Sequence, residues 1–150
     1  MKKLLVLLLL SNIVLASEVH LLQTRFDATF QVPVRINDKV TINFTVDSGA
    51  IVVQIPVNFV DLLVKNNVIK LSDILFDHKY IQANGTEITN KNIVFKQLQV
   101  GDRIAYNVAG TIGAPNSLLL LGQSFFQNFT EWGINNVTHT LILGEPIINH

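Results

Sequence analysis

From residue 26 to residue 36 every second position is apolar, through Phe26, Ala28, Phe30, Val32, Val34 and Ile36. That is the period of a strand with one face buried. Asn37-Asp38 interrupts the pattern as a turn, and Val40, Ile42, Phe44 and Val46 resume it. The two runs predict a hairpin whose second strand ends on Asp47. IVVQI at 51–55 predicts another short strand, stopped by Pro56, and the apolar positions of 57–64 suit one or two helical turns. Extended chain is expected to return in VIKLS, 68–72.

Further along, Asn84-Gly85 lies inside the segment 81–88 and marks a tight hairpin turn, because both residue types tolerate positive φ. Segments 92–100 and 104–108 read as strands on either side of Gly101-Asp102. In SLLLLGQSFFQNF, 117–129, an apolar run ends at Gly122 and a short helix-compatible piece follows, with Phe125, Phe126 and Phe129 near one face. HTLIL, 139–143, predicts a last strand. Short strands, frequent turns and little helix predict a mainly β domain, closed and barrel-like, with one short C-terminal helix.

The N-terminus has a different pattern. Lys2 and Lys3 precede an apolar-rich stretch at 4–15 and the small residue Ala16. This is the layout of a secretory signal over residues 1–16, too short to span a bilayer comfortably. It predicts export, to the periplasm or outside the cell, with residues 4–15 acting as a membrane anchor if they are retained. Removing the first 16 of 150 residues leaves 134, enough for one hydrophobic core but not for two ordinary domains. Residues 17–150 are therefore expected to form a single domain.

Without Lys2 and Lys3, nine of the 11 basic residues face 11 acidic ones, a net charge near minus two with no basic run. That excludes nucleic acid as an expected partner. There is no cysteine, so stability must come from packing, including that of a partner subunit. His20, His78, His139 and His150 are scattered without the short spacing of a zinc site and read as surface or structural residues.

Asp47 is the position that needs an explanation. A carboxylate at the end of an apolar strand costs free energy unless donors offset its desolvation. The next turn can supply them: Gly49 lets backbone approach closely and Ala50 keeps the turn small, beside the hydroxyl of Ser48. Taken alone, Asp-Ser-Gly also describes an ordinary surface turn.

Its surroundings are more specific. VPVRINDKVTINFTVDSGA, 32–50, resembles the start of a retroviral-type (retropepsin-like) aspartic protease, in which a hairpin leads into Asp-Thr/Ser-Gly-Ala. LLLLGQSFF, 118–126, resembles that family's second signature through Leu120, Leu121 and Gly122. Between them Ala83-Asn84-Gly85 is similar to the flap segment of bacterial and retroelement members, although an ordinary hairpin turn reads equally well. The resemblance covers about 26–143. Two departures from the pattern stand out: the flap carries one glycine and a nearby Glu87, and Gln123 follows Gly122 where a charged or small polar residue is common.

The resemblance implies a single-domain aspartic endopeptidase active as a homodimer, since the chain carries one such motif and the chemistry needs two carboxylates. Asp47 would be catalytic, with Ser48, Gly49 and Ala50 supporting its loop. Ser48 would bond across the subunit interface rather than act as a nucleophile. An extended peptide or protein substrate would be cut through an activated water, with no metal or organic cofactor; apolar side chains would suit the region of Ile51, Val52 and Val53. Asp27 reads as an outward-facing carboxylate. Two other readings are a non-catalytic peptide-binding or envelope assembly module on the same fold, and an unrelated exported β-barrel. The last predicts that 44–50 and 117–123 lie far apart; the protease fold predicts that they meet.

Overall fold

A computed structural model describes residues 16–23, 29–82 and 84–148. The strands β1 (Ser17–His20) and β2 (Leu22–Gln23) precede the hairpin of β3 (Phe30–Ile36) and β4 (Val40–Val46). Alternation sets the hairpin's faces: Val32, Val34, Ile36 and Phe44 are fully buried, while Arg35 is exposed. Asn37 and Asp38 take φ of 48° and 57°, the pair of left-handed residues that matches a tight turn to the twist of its strands. Asn37 does more than turn the chain. Its Oδ1 accepts from the amide of Gln97 at 3.0 Å and its Nδ2 donates to the carbonyl of Val68 at 2.8 Å.

After Asp47 come β5 (Val53–Pro56) and α1 (Val57–Lys65). Pro56 stands at the helix N-cap with φ −65°, the value its ring imposes, and it needs no N–H there. Val60 and Leu63 bury the inner face of α1. The chain does not return to a strand at 68–72 as expected. The amide of Val68 donates back to Leu63 at 2.8 Å, Val68 and Ile69 pack into the core, and Leu71–Asp73 forms a short 3-10 turn. Asp73 is the reason for that turn: its carboxylate accepts from the amide of Lys70 at 2.8 Å, a local bond that competes with extended pairing.

The remaining elements are β6 (Ile74–Ile81), β7 (Glu87–Val100), β8 (Arg103–Gly113), β9 (Leu120–Leu121), α2 (Gln123–Phe126), β10 (Trp132–Asn135) and β11 (Thr140–Leu143). One eight-stranded sheet runs β2-β3-β4-β9-β5-β8-β7-β6, and a separate three-stranded sheet runs β1-β11-β10. The core holds Phe44, Phe95, Phe125 and Phe126, with Trp132 stacked on Phe126 at 4.0 Å between ring centres.

This corrects the expectation of a closed, barrel-like domain with one short C-terminal helix. Among the described residues the domain is mainly β with two α-helices, and its large sheet keeps β2 and β6 as end strands. β7 explains the difference. Its first half, from Glu87 to Ile93, pairs with β6, its second half pairs with β8, and only Leu98 and Gln99 reach β3, opposite Ile36 and Arg35. The long β6–β7 hairpin therefore projects beyond the part of the sheet that curls back on itself.

Of the proposed signal (1–16) and anchor (4–15), all but Ala16 lie outside the described residues, as do Phe26, Asp27, Ala28 and His150. Among the described residues no helix is long and apolar enough to cross a membrane. The expected membrane association through residues 4–15 thus finds no support among the described residues.

Candidate active site

The two sequence signatures meet. β4 and β9 pair in parallel, Thr45 opposite Leu120 and Val46 opposite Leu121. The amide of Thr45 donates to the carbonyl of Leu119 at 2.8 Å and that of Asp47 to Leu121 at 3.1 Å. This geometry removes the accidental-barrel reading, which required the two segments to lie far apart.

Beyond the end of β4 the chain turns, and the carboxylate of Asp47 caps that turn. Its Oδ1 accepts from the amide of Gly49 at 2.8 Å and of Ala50 at 3.2 Å. These are the donors that a carboxylate leaving an apolar strand requires. Asp47 itself is partly exposed, and Ser48 and Gly49 are exposed, so the loop presents its acid to solvent rather than burying it. A Cβ on Gly49 would lie 3.3 Å from Asp47 Oδ1, which crowds the oxygen that the turn holds.

Gly122 lets the second signature lie against the first. A Cβ there would stand 2.5 Å from the carbonyl oxygen of Val52 and 2.7 Å from that of Ala50, contacts no side chain can make without moving backbone. With only hydrogen at that position, the start of α2 docks on the loop. The amide of Gln123 donates to Ala50 at 2.8 Å and that of Ser124 to Ile51 at 3.0 Å. The buried hydroxyl of Ser124 accepts from the amide of Val53 at 3.0 Å and donates to the carbonyl of Ala109 at 2.6 Å, tying β5, α2 and β8 together.

A cleft of about 350 Å³ opens over Asp47. Gly49, Ala50, Ile51, Val52 and Leu120 form its floor, and Tyr80, Ile81, Gln82 and Ile88 of the β6–β7 hairpin face them. The phenol of Tyr80 donates to Asn92 Oδ1, bracing the hairpin from one strand to the other. The turn at its tip is held by the amide of Gly85 donating to Gln82 at 2.8 Å and that of Thr86 to Asn84 Oδ1 at 3.0 Å, with Gly85 at φ 81°. Larger recesses, each about 580 Å³, lie beside Leu71 to Asp77 and beside Ile104 to Asn107. Volume alone does not select a site; the cleft over Asp47 stands out because it sets a turn-capping carboxylate opposite a projecting hairpin.

Of the residues singled out in the sequence, Asp47, Gly49, Ala50 and Leu120 line this cleft, Leu121 and Gly122 support it from behind, and Asn84 and Gly85 form the hairpin turn. Ala83 lies outside the described residues. Ile51 and Val52 line the cleft, but Val53 is fully buried in the core and cannot contact a ligand there. Gln123 stood out in the sequence only as a departure from the family pattern, and Ser124 not at all, although two polar residues between Gly122 and Phe125 were a visible break in an apolar run. Tyr80 gave no signal either, because its strand, Ile74–Ile81, has apolar residues but no burial period. His78 packs edge-on against Tyr80 and His139 against Phe30, as structural residues do. Among the described residues no cluster of three or more His, Asp or Glu could hold a metal ion.

A family model described as gag-polyprotein putative aspartyl protease matches residues 32–128. Among solved structures, the crystal structure of a retropepsin-like aspartic protease from Rickettsia conorii superimposes with a TM-score of 0.63. The match covers 88% of this chain and 94% of that one, at 20% sequence identity, a level at which the likeness is one of fold. No curated protein matches the chain.

Proposed function

The chain belongs to the retropepsin-like aspartic protease family, and from that premise we propose that it is an aspartic endopeptidase working as a homodimer. In this reading residues 17–150 are one protease domain. The observation that carries it is the placement of Asp47 at the head of a glycine turn, locked to the Leu120–Gly122 segment and facing a cleft roofed by a hairpin.

One carboxylate cannot be both the ionised base and the protonated acid, so the reaction needs Asp47 from two copies. Close together near a two-fold axis, the two carboxyls share one proton, because both cannot ionise cheaply, and they titrate as a pair. The ionised member takes a proton from a water held between them. As that water adds to the scissile carbonyl carbon, the protonated member donates to the carbonyl oxygen, forming a tetrahedral diol. Collapse of the diol breaks the C–N bond as the nitrogen is protonated, releasing an amine and a carboxylic acid.

Ser48, exposed beside Asp47, would make the family's hydroxyl contact between the two loops. An extended peptide in the cleft would lie between the loop floor and the β6–β7 hairpin, pairing by backbone hydrogen bonds with alternate side chains directed into pockets. Ile51, Val52, Ile81 and Ile88 favour apolar side chains in the substrate. The hairpin, including Asn84 and Gly85, would act as flap and exclude water.

The test is cleavage of a diverse peptide library by the purified protein and by Asp47→Asn. Cleavage by the wild type only, blocked by a peptide-like inhibitor carrying a hydroxyl in place of the scissile carbonyl, supports the reading. A folded, dimeric wild type that cleaves nothing contradicts it.

A further inference from the structure

Gln123 occupies the position where the chain departs from the usual family sequence, and it holds the active-site loop at two points. Its amide donates to the carbonyl of Ala50 at 2.8 Å, and its side-chain Nε2 donates to the carbonyl of Ser48 at 2.8 Å. The second contact matters for chemistry. The carbonyl of Ser48 and the amide of Gly49 are the two ends of one planar peptide unit, and that amide donates to Asp47 Oδ1 at 2.8 Å. A continuous chain therefore runs from Gln123 Nε2 through one peptide plane to the carboxylate.

We propose that Gln123 is a positioning residue for Asp47, orienting and polarising the Ser48–Gly49 peptide so that its N–H holds one carboxylate oxygen and leaves the other for water and substrate. The physical basis is twofold. A peptide plane gripped at its oxygen cannot rotate its N–H away from Asp47 without breaking the bond to Gln123. Accepting a hydrogen bond at the carbonyl also strengthens the N–H as a donor, the usual cooperativity of hydrogen-bonded chains. A purely structural role for Gln123 would be met by its backbone bond to Ala50 alone; only the side-chain bond reaches the plane that touches Asp47.

The inference rests on the reading of Asp47 as the reacting carboxylate for its effect on rate, but not for its effect on the Gly49 amide. Two variants test it. Gln123→Met keeps the length of the side chain and the backbone bond while removing the donor. Gln123→Glu restores a donor only when its carboxyl is protonated, below about pH 4 for an ordinary glutamate.

Two readouts are needed: the proton chemical shift of the Gly49 amide, and kcat and KM across acid pH. The expected result is an upfield move of the Gly49 amide in Gln123→Met and a loss in kcat of roughly two- to tenfold with KM little changed, as for one hydrogen bond. Gln123→Glu recovers both toward the acid end and loses both above it. An unmoved Gly49 amide in either folded variant at pH 6 overturns the proposal, as does a Gln123→Glu rate profile parallel to that of the wild type. If the wild type cleaves nothing, the protease reading fails separately and the amide shift still decides this one. If Gln123→Met does not fold, the pH series of Gln123→Glu decides it.

Discussion

The backbone N–H of Asp47 donates to the carbonyl of Leu121 at 3.1 Å, which fixes the proposed reacting carboxylate to a segment far away in sequence. The end of β4 is thus part of a sheet and not a free loop. This bond joins the two motifs that suggest an aspartic protease, and the predictions follow from what surrounds it.

Asp47→Asn should leave the fold intact, since the amide oxygen of asparagine can still accept from Gly49 and Ala50. Cleavage should fall by at least about a hundredfold, the lower range for losing a general acid–base group. Thermal unfolding by circular dichroism, beside a peptide cleavage assay, checks both halves. A variant that unfolds early would mean that the charge itself holds the turn together.

Gly122→Ala should destabilise the protein by about 1–3 kcal/mol, because the new Cβ meets backbone oxygens of Val52 and Ala50 and the core must shift to admit it. Gly133→Ala is the control: a Cβ there meets nothing within 4 Å, so its effect should stay within about 0.5 kcal/mol. Urea unfolding of the two variants makes the comparison. Equal stabilities would show that α2 can back away from the loop without cost.

Ser124→Ala removes the hydroxyl that serves Val53 and Ala109 and should cost about 1–3 kcal/mol, the range for stranding buried partners. Activity should survive to the extent that folding does, since Ser124 faces the core rather than the cleft. Denaturant midpoints measured together with specific activity of the folded fraction separate the two effects.

Gly85→Ala places a side chain at φ 81° on the hairpin tip, where there is open space but an unfavourable backbone conformation. The expected cost is local, about 1 kcal/mol, with little change in global unfolding. If the hairpin closes on substrate, kcat/KM should fall while Asp47 chemistry remains intact. Hydrogen exchange across 82–86 and steady-state kinetics check the pair; faster exchange with unchanged kinetics would leave the hairpin a turn and nothing more.

The legible parts of the sequence were those in which one local rule acted alone. Val32, Val34 and Ile36 alternate on one buried face, Asn37-Asp38 is a turn by residue type, and both signatures stood out as written. β6 and the first half of β7 were not legible, because Leu75, Phe76 and Ile81 are exposed apolar residues on a projecting hairpin and give no burial period to read. β1 and β10 were missed because each has four residues and only half-buried or exposed positions. The closed barrel was inferred from short strands, frequent turns and little helix; the length of β7, which divides its pairing between β6 and β8, is a property of the whole sheet. At the site, Asp47 could be found by motif, whereas the grip of Gln123 on Ser48 depends on a contact across 75 positions.

The most direct test of the central claim is the dependence of cleavage rate on protein concentration, with added Asp47→Asn at a fixed amount of wild type. Two copies sharing one site predict a rate that rises with the square of concentration below the dimerisation midpoint. They also predict that excess Asp47→Asn suppresses the wild type by drawing it into dimers with a single competent carboxylate. A rate strictly proportional to concentration down to the detection limit, unaffected by the variant, would contradict the account and place the chemistry within one chain.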